Sequence, residues 1–192
     1  QDVISRLPPG LLEFLLRTSI LDWFDADLAA AVSGQDEAGA RLHEIEAANL
    51  FLVPLDAERT LFRYHHLFAE LLRTLLSQRH PEDLAGLHQI AAKRLAERAL
   101  PAQAVHHALA AGDSEAAAAL VDHVFSLDRP VLALNTLQTD TDRSEHKGFA
   151  ALLKGCFAAV RNPLAHEPKI LWEGEDDAAD YLSLVSLLHR KL

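Results

Sequence analysis

The sequence predicts a mainly α-helical protein with one small β-hairpin, and three features carry this prediction. Hydrophobic residues make up 49% of the 192 residues, Ala and Leu dominate them, only 6% of all residues are aromatic, and Met is absent. This composition favours helices over sheets. Apolar residues also recur at helical spacing along most of the chain. Residues 50–64 differ, because two short β-prone runs flank the turn-like DAER.

Composition and charge restrict the expected partners. The net charge is −10, with 7 Lys/Arg against 12 Asp/Glu in residues 1–80 and 11 against 16 in residues 81–192. Specific DNA binding is therefore not expected, because it needs a basic face. The single cysteine, Cys156, supports neither a disulfide framework nor a thiolate metal cluster. We expect no metal and no other cofactor.

The location predicted from the sequence is the cytoplasm. No apolar stretch reaches the roughly 18 residues of a membrane-spanning helix, and the N-terminus lacks the pattern of a secretory signal. We therefore expect no membrane partner. The chain starts with QDV rather than Met, which suggests a fragment of a longer protein.

The first three predicted helices follow one another closely. Residues 6–21 form a helix entered through two prolines. Asp25 or Asp27 caps a second helix, which ends at Gly34. Asp36 opens a third helix, with an apolar face that contains Leu42, Ile45 and Leu50.

A hairpin and a fourth helix complete a segment predicted to cover residues 1–80. Helices followed by a hairpin are in the order of a winged helix, and the next helix starts near His65-His66. Its predicted apolar positions are Leu67, Leu71, Leu75, Phe68 and Leu72.

Residues 81–125 are predicted to form short paired helices of the tetratricopeptide (TPR) type. Two of them start with a proline in the first turn, Gly112 stops the second, and Asp113 caps the next. Residues 126–142 form a junction loop with room for a short helix. A helix from about Ser144 to Arg161 follows.

The final part of the chain, predicted as a domain of residues 126–192, contains a helix-breaking joint and a last helix. The joint is RNPLAHEPK, residues 161–169. The last helix starts near Asp176, with acidic residues in its first turn. Its apolar stripe consists of Ala178, Tyr181, Leu182, Val185 and Leu188.

Two stretches of the first two-thirds of the chain resemble a known bacterial class. These are LHEIEAANLFLVPLDAERTLFRYHHLFAELLR and LHQIAAKRLAERALPAQAVHHALAAGDSEAAAAL. They resemble the ATP-dependent regulators of the maltose-activator, LuxR-type class, which are STAND signal-transducing NTPases. The resemblance implies a winged helix that leads into ligand-sensing TPR-like helices. The phosphate-binding motif G-x-x-x-x-G-K-[ST] is absent from this sequence, and so is a basic C-terminal helix-turn-helix.

From about Leu120 onward the sequence is similar to a small family of uncharacterised Ymh-like bacterial proteins with a HEPN-type, abortive-infection-like helical domain. The central motif is an arginine followed by a histidine, here Arg161 and His166 in RNPLAH. The resemblance implies a HEPN-like helical bundle and a metal-independent RNase that works as a dimer, in bacterial signalling or defence.

The chemistry of the joint suits RNA cleavage without a metal. His166 is the predicted proton carrier, Arg161 offers two donors to phosphate oxygens, and Asn162 orients the histidine or the substrate. Lys147, Lys154 and Lys169 are the predicted substrate-binding cations.

Two non-enzymatic interpretations stay open. Asn162-Pro163 is also a plausible N-cap and first-turn pair, and Arg161 can satisfy the carbonyls of a helix end. In this alternative the protein is an interaction or regulatory module that binds a protein partner or itself. It would be the remnant of a LuxR-type regulator without its ATPase and DNA-binding domains. A DNA-binding fragment that uses its winged helix is a third interpretation, against which the acidic charge weighs.

Overall fold

The computed structural model describes residues 7–156, which form two compact units. Unit 1 is residues 1–99 and unit 2 is residues 100–192. Within the described range the chain forms eight helices and one two-stranded antiparallel hairpin. The prediction of a mainly α-helical protein with one small hairpin is therefore confirmed.

Unit 1 contains five of these helices and the hairpin. The helices are α1 (Pro9–Thr18), α2 (Ala26–Ser33), α3 (Ala38–Ala47), α4 (His66–Arg79) and α5 (Asp83–Glu97), and the strands are β1 (Leu52–Pro54) and β2 (Phe62–Tyr64). The order of three helices, hairpin and helix is that predicted for residues 1–80.

The helix ends of unit 1 test the predicted caps. The Asp25 carboxylate accepts a hydrogen bond from the Leu28 N–H at 2.8 Å, so Asp25 rather than Asp27 caps α2. Gly34 ends α2 with φ +71°, a conformation that glycine adopts without a steric penalty. The predicted start of α3 at Asp36 is wrong, because Glu37 occupies the N-cap position.

The hairpin is tied to the helices through its second strand. Leu52 pairs with Tyr64 and Pro54 with Phe62. Phe62 also exchanges two backbone hydrogen bonds of 2.8 Å with Phe24, which lies just before α2. These bonds extend the pairing by one bridge and anchor the hairpin to the helical layer.

The core of unit 1 is apolar and contains one buried hydroxyl pair. Phe14 and Phe24 are fully buried, and the Phe24 and Tyr64 rings lie 5.0 Å apart. The Tyr64 hydroxyl lies 2.7 Å from the Thr18 hydroxyl. Burial raises the pKa of Tyr64 above its ordinary value, against the smaller opposing effect of the Thr18 hydrogen bond. The hydrogen bond between the two hydroxyls compensates for the hydrogen bonds to water that both groups lose on burial.

Helix α4 buries the apolar stripe that contains Phe68 and Leu72, not the stripe that contains Leu67. Phe68, Leu72 and Leu76 face the core, whereas Leu67 and Leu71 are 62% and 45% exposed. Of the two apolar stripes predicted from the sequence, the one that contains Phe68 and Leu72 is therefore the buried one. Both stripes have helical spacing, so periodicity alone did not distinguish them.

Unit 2 contains α6 (Pro101–Ala110), α7 (Ser114–Val124) and α8 (Asp140–Cys156) among the described residues. Pro101 occupies the first turn of α6, as predicted. Gly112 has φ +76°, and the Asp113 carboxylate accepts from the Ala116 N–H at 2.8 Å. The predicted break at Gly112 and the cap at Asp113 are both confirmed.

Helix α8 starts four residues before the predicted Ser144. The Thr139 hydroxyl accepts from the Asp142 N–H at 3.0 Å, and an Asp142 carboxylate oxygen lies 3.4 Å from the Thr139 N–H. This reciprocal pair is a capping box, which begins a helix at the following residue. The short helix allowed for in the junction loop does not form, since residues 126–139 contain bends and no helix.

Candidate functional site

The predicted catalytic residues lie beyond the described range. Arg161, Asn162, His166 and Lys169 fall in residues 157–192, which the structure does not describe. Helix α8 ends, as described, at Cys156, five residues before the predicted arginine. Among the described residues, those of α8 lie closest in sequence to the predicted catalytic residues.

One side of α8 is basic. Arg143, Lys147 and Lys154 lie within about 40° of one another around the helix axis, because four-residue and seven-residue steps return to nearly the same side. Lys147 is exposed. The predicted Arg161 follows Lys154 by the seven residues that separate Lys147 from Lys154. Sequence reasoning missed Arg143, although its four-residue spacing to Lys147 was visible.

Lys154 is engaged within unit 2. Its ammonium group donates to the Asp122 carboxylate on α7 at 2.5 Å, and the lysine side chain is 33% exposed. Arg143 donates through Nε to the Leu137 carbonyl at 3.1 Å. The structure therefore places two predicted cations, Lys147 and Lys154, on one side of α8 and leaves Lys147 as the more accessible of the two.

A buried histidine fixes α8 against α7 and the preceding loop. His146 is completely buried, and its Nε2 lies 3.0 Å from the Phe125 carbonyl oxygen. Its Nδ1 accepts from the Leu134 N–H at 3.5 Å. This arrangement places a ring proton on Nε2, since that nitrogen faces an acceptor and Nδ1 faces a donor. Sequence reasoning missed His146, whose only signal was its place on the apolar side of α8.

An apolar cluster surrounds the His146 ring. Phe125 lies 5.3 Å from His146 and 5.7 Å from Phe149, measured between ring centres. Val121, Val124 and Ala150 complete the buried part of this cluster. The cluster sets both the rotation and the height of α8, and therefore the direction of its basic side.

The loop before α8 is held by one carboxylate. Asp142 accepts from the Thr136 hydroxyl at 2.8 Å and from the Gln138 N–H at 3.3 Å. The Thr136 hydrogen bond is the main reason that the pKa of Asp142 lies below its usual value. The Asn135 amide donates to the Asp142 carbonyl and to Glu145. The Asp142 carboxylate therefore stabilises the start of α8 and the loop before it.

Residues 7–156 contain no cluster of metal-binding side chains. No three His, Cys, Asp or Glu side chains there are arranged to hold a metal ion. Cys156 is a free, partly buried thiol, and burial raises its pKa, which lowers the fraction of reactive thiolate. None of the helices in this range is long and apolar enough to cross a bilayer.

The segment that contains α3 and the hairpin turn is acidic. Residues 36–60, which include α3 and the hairpin turn, hold six Asp/Glu and two Lys/Arg. Arg41 pairs with Glu44 at 3.0 Å, and Arg59 forms an ion pair with Glu46. Both arginines of this segment are thus engaged by glutamates.

A four-residue ion network joins α2 to the end of α5. Arg98 contacts Asp25 at 2.9 Å and also pairs with Asp27, while Arg94 contacts Asp27 at 2.8 Å. Hydrogen bonds from Arg98 and then Arg94 lower the pKa of Asp27. The network joins two helices of one unit and has no feature of a catalytic site.

Unit 1 also has an exposed apolar cluster, here called the α4 cluster and defined as Phe51, Leu67 and Leu71. Phe51 is 54% exposed and has φ +55°, an uncommon conformation for a bulky residue. Its ring lies 5.3 Å from Phe68 and 6.5 Å from His65. His65 occupies the N-cap position of α4 without a side-chain cap hydrogen bond.

The fold defines a mainly helical protein whose first unit has the order of helices and hairpin found in a winged helix. Comparison with known proteins agrees with this class. Residues 1–84 match the MalT winged helix domain. Over 121 residues the chain is 36% identical to the HTH-type transcriptional regulator MalT of Vibrio cholerae, a stretch that covers 63% of this chain and 13% of the regulator.

The family assignment comes from the remainder of the chain. Residues 90–192 match a family described as a protein of unknown function, Hypoth_ymh. This match covers more than half of the chain, and the protein belongs to that family. The resemblance to the winged helix of the maltose-activator class and the resemblance to the Ymh-like family are therefore confirmed, whereas the HEPN and STAND assignments stay predictions.

Proposed function

We propose that this protein is a metal-independent endoribonuclease of bacterial signalling or defence, in which unit 2 cleaves RNA and unit 1 relays or receives a signal. The observation that carries the proposal is the basic side of α8. Lys147 and Lys154 lie two helical turns apart on this side. Arg161 follows at the same spacing in the sequence, and His166 comes five residues later.

In this proposal the reaction divides between two side chains. His166 removes the proton of the ribose 2′-hydroxyl, which then attacks the neighbouring phosphorus. Arg161 stabilises the extra negative charge on the phosphate oxygens. Asn162 orients the histidine or the substrate. The bond from phosphorus to the 5′-oxygen breaks, which leaves a 2′,3′-cyclic phosphate. The 5′-oxygen takes a proton from water, and protonated His166 returns its proton to the solvent.

The cations of α8 guide the RNA backbone towards this pair. Lys147 is exposed and contacts phosphate directly, whereas Lys154 exchanges Asp122 for phosphate when RNA binds. Lys169 extends the same positive surface from the far side of the joint. A two-fold dimer brings two motifs together and supplies a fuller site than one chain offers. The proposed location is the cytoplasm, where RNA is available.

Unit 1 has a regulatory role in this proposal. The acidic surface of α3 and the hairpin turn disfavours DNA, and the chain has no phosphate-binding loop for ATP. Its winged helix is then a relay between a regulatory input and the RNA-cleaving unit.

The test is RNA cleavage in EDTA by the purified full chain, after its mass has been measured by light scattering. We expect a dimer whose cleavage falls by about 10²–10⁴-fold in His166→Ala, the contribution typical of general acid–base catalysis. His123→Ala is the matched control, because His123 is an exposed histidine of α7 in the same unit. Equal loss in both variants, or unchanged cleavage in His166→Ala, would contradict the assignment.

A second candidate function is a non-catalytic interaction module, and the α4 cluster favours it. Exposed leucines at adjacent turns of one helix typically mark a surface that binds another protein. If the chain associates through this cluster, Leu67→Ser with Leu71→Ser should yield a monomer, while His166→Ala stays dimeric. Ile90→Ser on α5, which is 43% exposed, is the control for lost surface hydrophobicity. A chain that leaves RNA intact but loses its dimer in the leucine variant would favour this function.

A further inference from the structure

An unpaired basic and an unpaired acidic side chain flank Leu67 of the α4 cluster. Arg63 is the exposed residue of β2 and comes two positions before His65, the N-cap of α4. Glu70 is exposed on α4, three residues after Leu67, and residues three apart are neighbours on a helix surface. Within residues 7–156, neither Arg63 nor Glu70 forms an ion pair.

The other charged groups near the α4 cluster are paired or lie farther away. Arg73 pairs with Asp22 at 3.0 Å, and Arg59 pairs with Glu46. Two carboxylates lie in the hairpin turn, at the end of the strands opposite α4, and these are Asp56 and Glu58. Among the described residues, the two groups that flank Leu67 are therefore the formal charges left for a partner at the start of α4.

A two-fold axis near Leu67 sets these two charges opposite each other. Around an axis perpendicular to the helix, α4 of a second copy runs antiparallel. Glu70 lies about 4.5 Å beyond Leu67 along α4, so it meets the part of the second copy that lies the same distance before Leu67. That part is the start of α4, where Arg63, His65 and His66 lie. One such contact therefore contains two identical ion pairs.

The same arrangement covers the exposed apolar side chains. Leu67 lies at the axis, and Leu71 of each copy packs against Phe51 and the first turn of α4 of the other. Phe51 and Leu67 are 54% and 62% exposed, the largest values among the large apolar side chains of the described residues, and the contact removes both from water. A contact with the two helices parallel sets Glu70 beside Glu70 of the second copy, and like charges disfavour it.

We propose that the α4 cluster, together with Arg63 and Glu70, binds a second copy of this chain across a two-fold axis near Leu67. The two α4 helices run antiparallel, and Arg63 of each copy pairs with Glu70 of the other. This inference rests on the second candidate function, association through the α4 cluster, and does not depend on RNA cleavage.

A cysteine near the two-fold axis tests the geometry. In a Cys156→Ser background of the full chain, Leu67→Cys should form a disulfide between two copies, because residues on the axis meet themselves. Leu71→Cys is the matched control: its two copies lie about 12 Å apart along the helices, beyond the roughly 7 Å that a disulfide allows between Cα atoms. We expect a disulfide-linked dimer of Leu67→Cys in a non-reducing gel and little of Leu71→Cys. Equal linking of both, preferential linking of Leu71→Cys, or no link in either would overturn the proposal.

Charge reversal tests the ion pairs. Arg63→Glu and Glu70→Arg should each weaken the association of the full chain roughly tenfold, because two attractive pairs become repulsive. Mixing the two variants should restore it, since each chain then carries the charge that the other needs. Arg79→Glu, an exposed position at the other end of α4, is the control and should leave the association unchanged. Light scattering over a range of concentrations measures these effects.

Restoration by mixing occurs only if the pair joins two chains, so a mixture as weak as the single variants would overturn the proposal. If Leu67→Ser with Leu71→Ser still yields a monomer in that case, the chain associates through the α4 cluster in another arrangement, and the second candidate function stands. A parent chain that is monomeric at every concentration, or a leucine variant that keeps the mass of the parent, would overturn both. The cluster would then be left for a different protein.

Discussion

The two units are stabilised in different ways. Unit 1 is built around large apolar side chains, among which Phe14, Phe24 and Leu72 have no exposure. The described part of unit 2 is built around an imidazole, since His146 bonds to a carbonyl on one side and to an N–H on the other. The comparison shows that both cores are apolar, and that the described part of unit 2 also fixes a buried imidazole inside its core through two hydrogen bonds.

The largest expected effect comes from removing volume in unit 1. Phe24→Ala should lower the free energy of unfolding of unit 1 by about 3–5 kcal/mol, because it leaves a cavity against Tyr64 and Phe62. Hydrogen exchange of unit 1 peptides, compared between variant and parent, measures the loss. Leu67→Ala, at 62% exposure, is the control and should change the free energy by less than about 0.5 kcal/mol. Similar losses in both would show that burial does not decide stability here.

A smaller effect is expected from His146→Ala in unit 2. The change leaves the Phe125 carbonyl and the Leu134 N–H without a buried partner, which should cost about 2–3 kcal/mol. Exchange of α8 peptides should accelerate while that of unit 1 peptides does not. Lys147→Ala, the next residue and exposed, is the control. If both variants behave alike, the imidazole does not hold α8.

The smallest effect is expected from the Thr18 and Tyr64 hydroxyls, which form a polar pair inside the apolar core of unit 1. Tyr64→Phe removes the hydroxyl that faces Thr18, while the Thr18 hydroxyl still donates to the Phe14 carbonyl at 2.7 Å. The cost near neutral pH should be about 0.5–1.5 kcal/mol. Urea unfolding of unit 1 at a series of pH values measures it.

The pH dependence follows from the raised pKa of Tyr64. Because the folded state holds the Tyr64 proton more tightly than the unfolded state, the stabilisation is complete below the ordinary tyrosine pKa of about 10 and is lost as the pH rises above it. Tyr64→Phe should therefore lose less stability than the parent between about pH 10 and 11. Parallel curves for the two proteins across this range would contradict the buried hydroxyl.

The sequence alone determined the features that depend on neighbours along the chain. Asp25, Gly34, Gly112 and Asp113 act at the helix ends where their local chemistry predicts, because caps and left-handed turns involve residues only a few positions apart. The helical class, the hairpin and the two family resemblances were likewise readable from pattern and motif. The catalytic assignment of Arg161, Asn162 and His166, with Lys169, stays a prediction, since these residues lie outside the described range.

The tertiary structure decided which of several apolar stripes with the same helical spacing is buried. Helix α4 has two leucine-containing stripes, and only contact with the rest of unit 1 selects Leu72 and Leu76 over Leu67 and Leu71. In the sequence, His146 is one of several polar residues of a helix. Only the tertiary structure shows that the Phe125 carbonyl and the Leu134 N–H form hydrogen bonds with its ring. Periodicity fixes which residues share a helix face, but whether that face is buried depends on partners distant in the sequence.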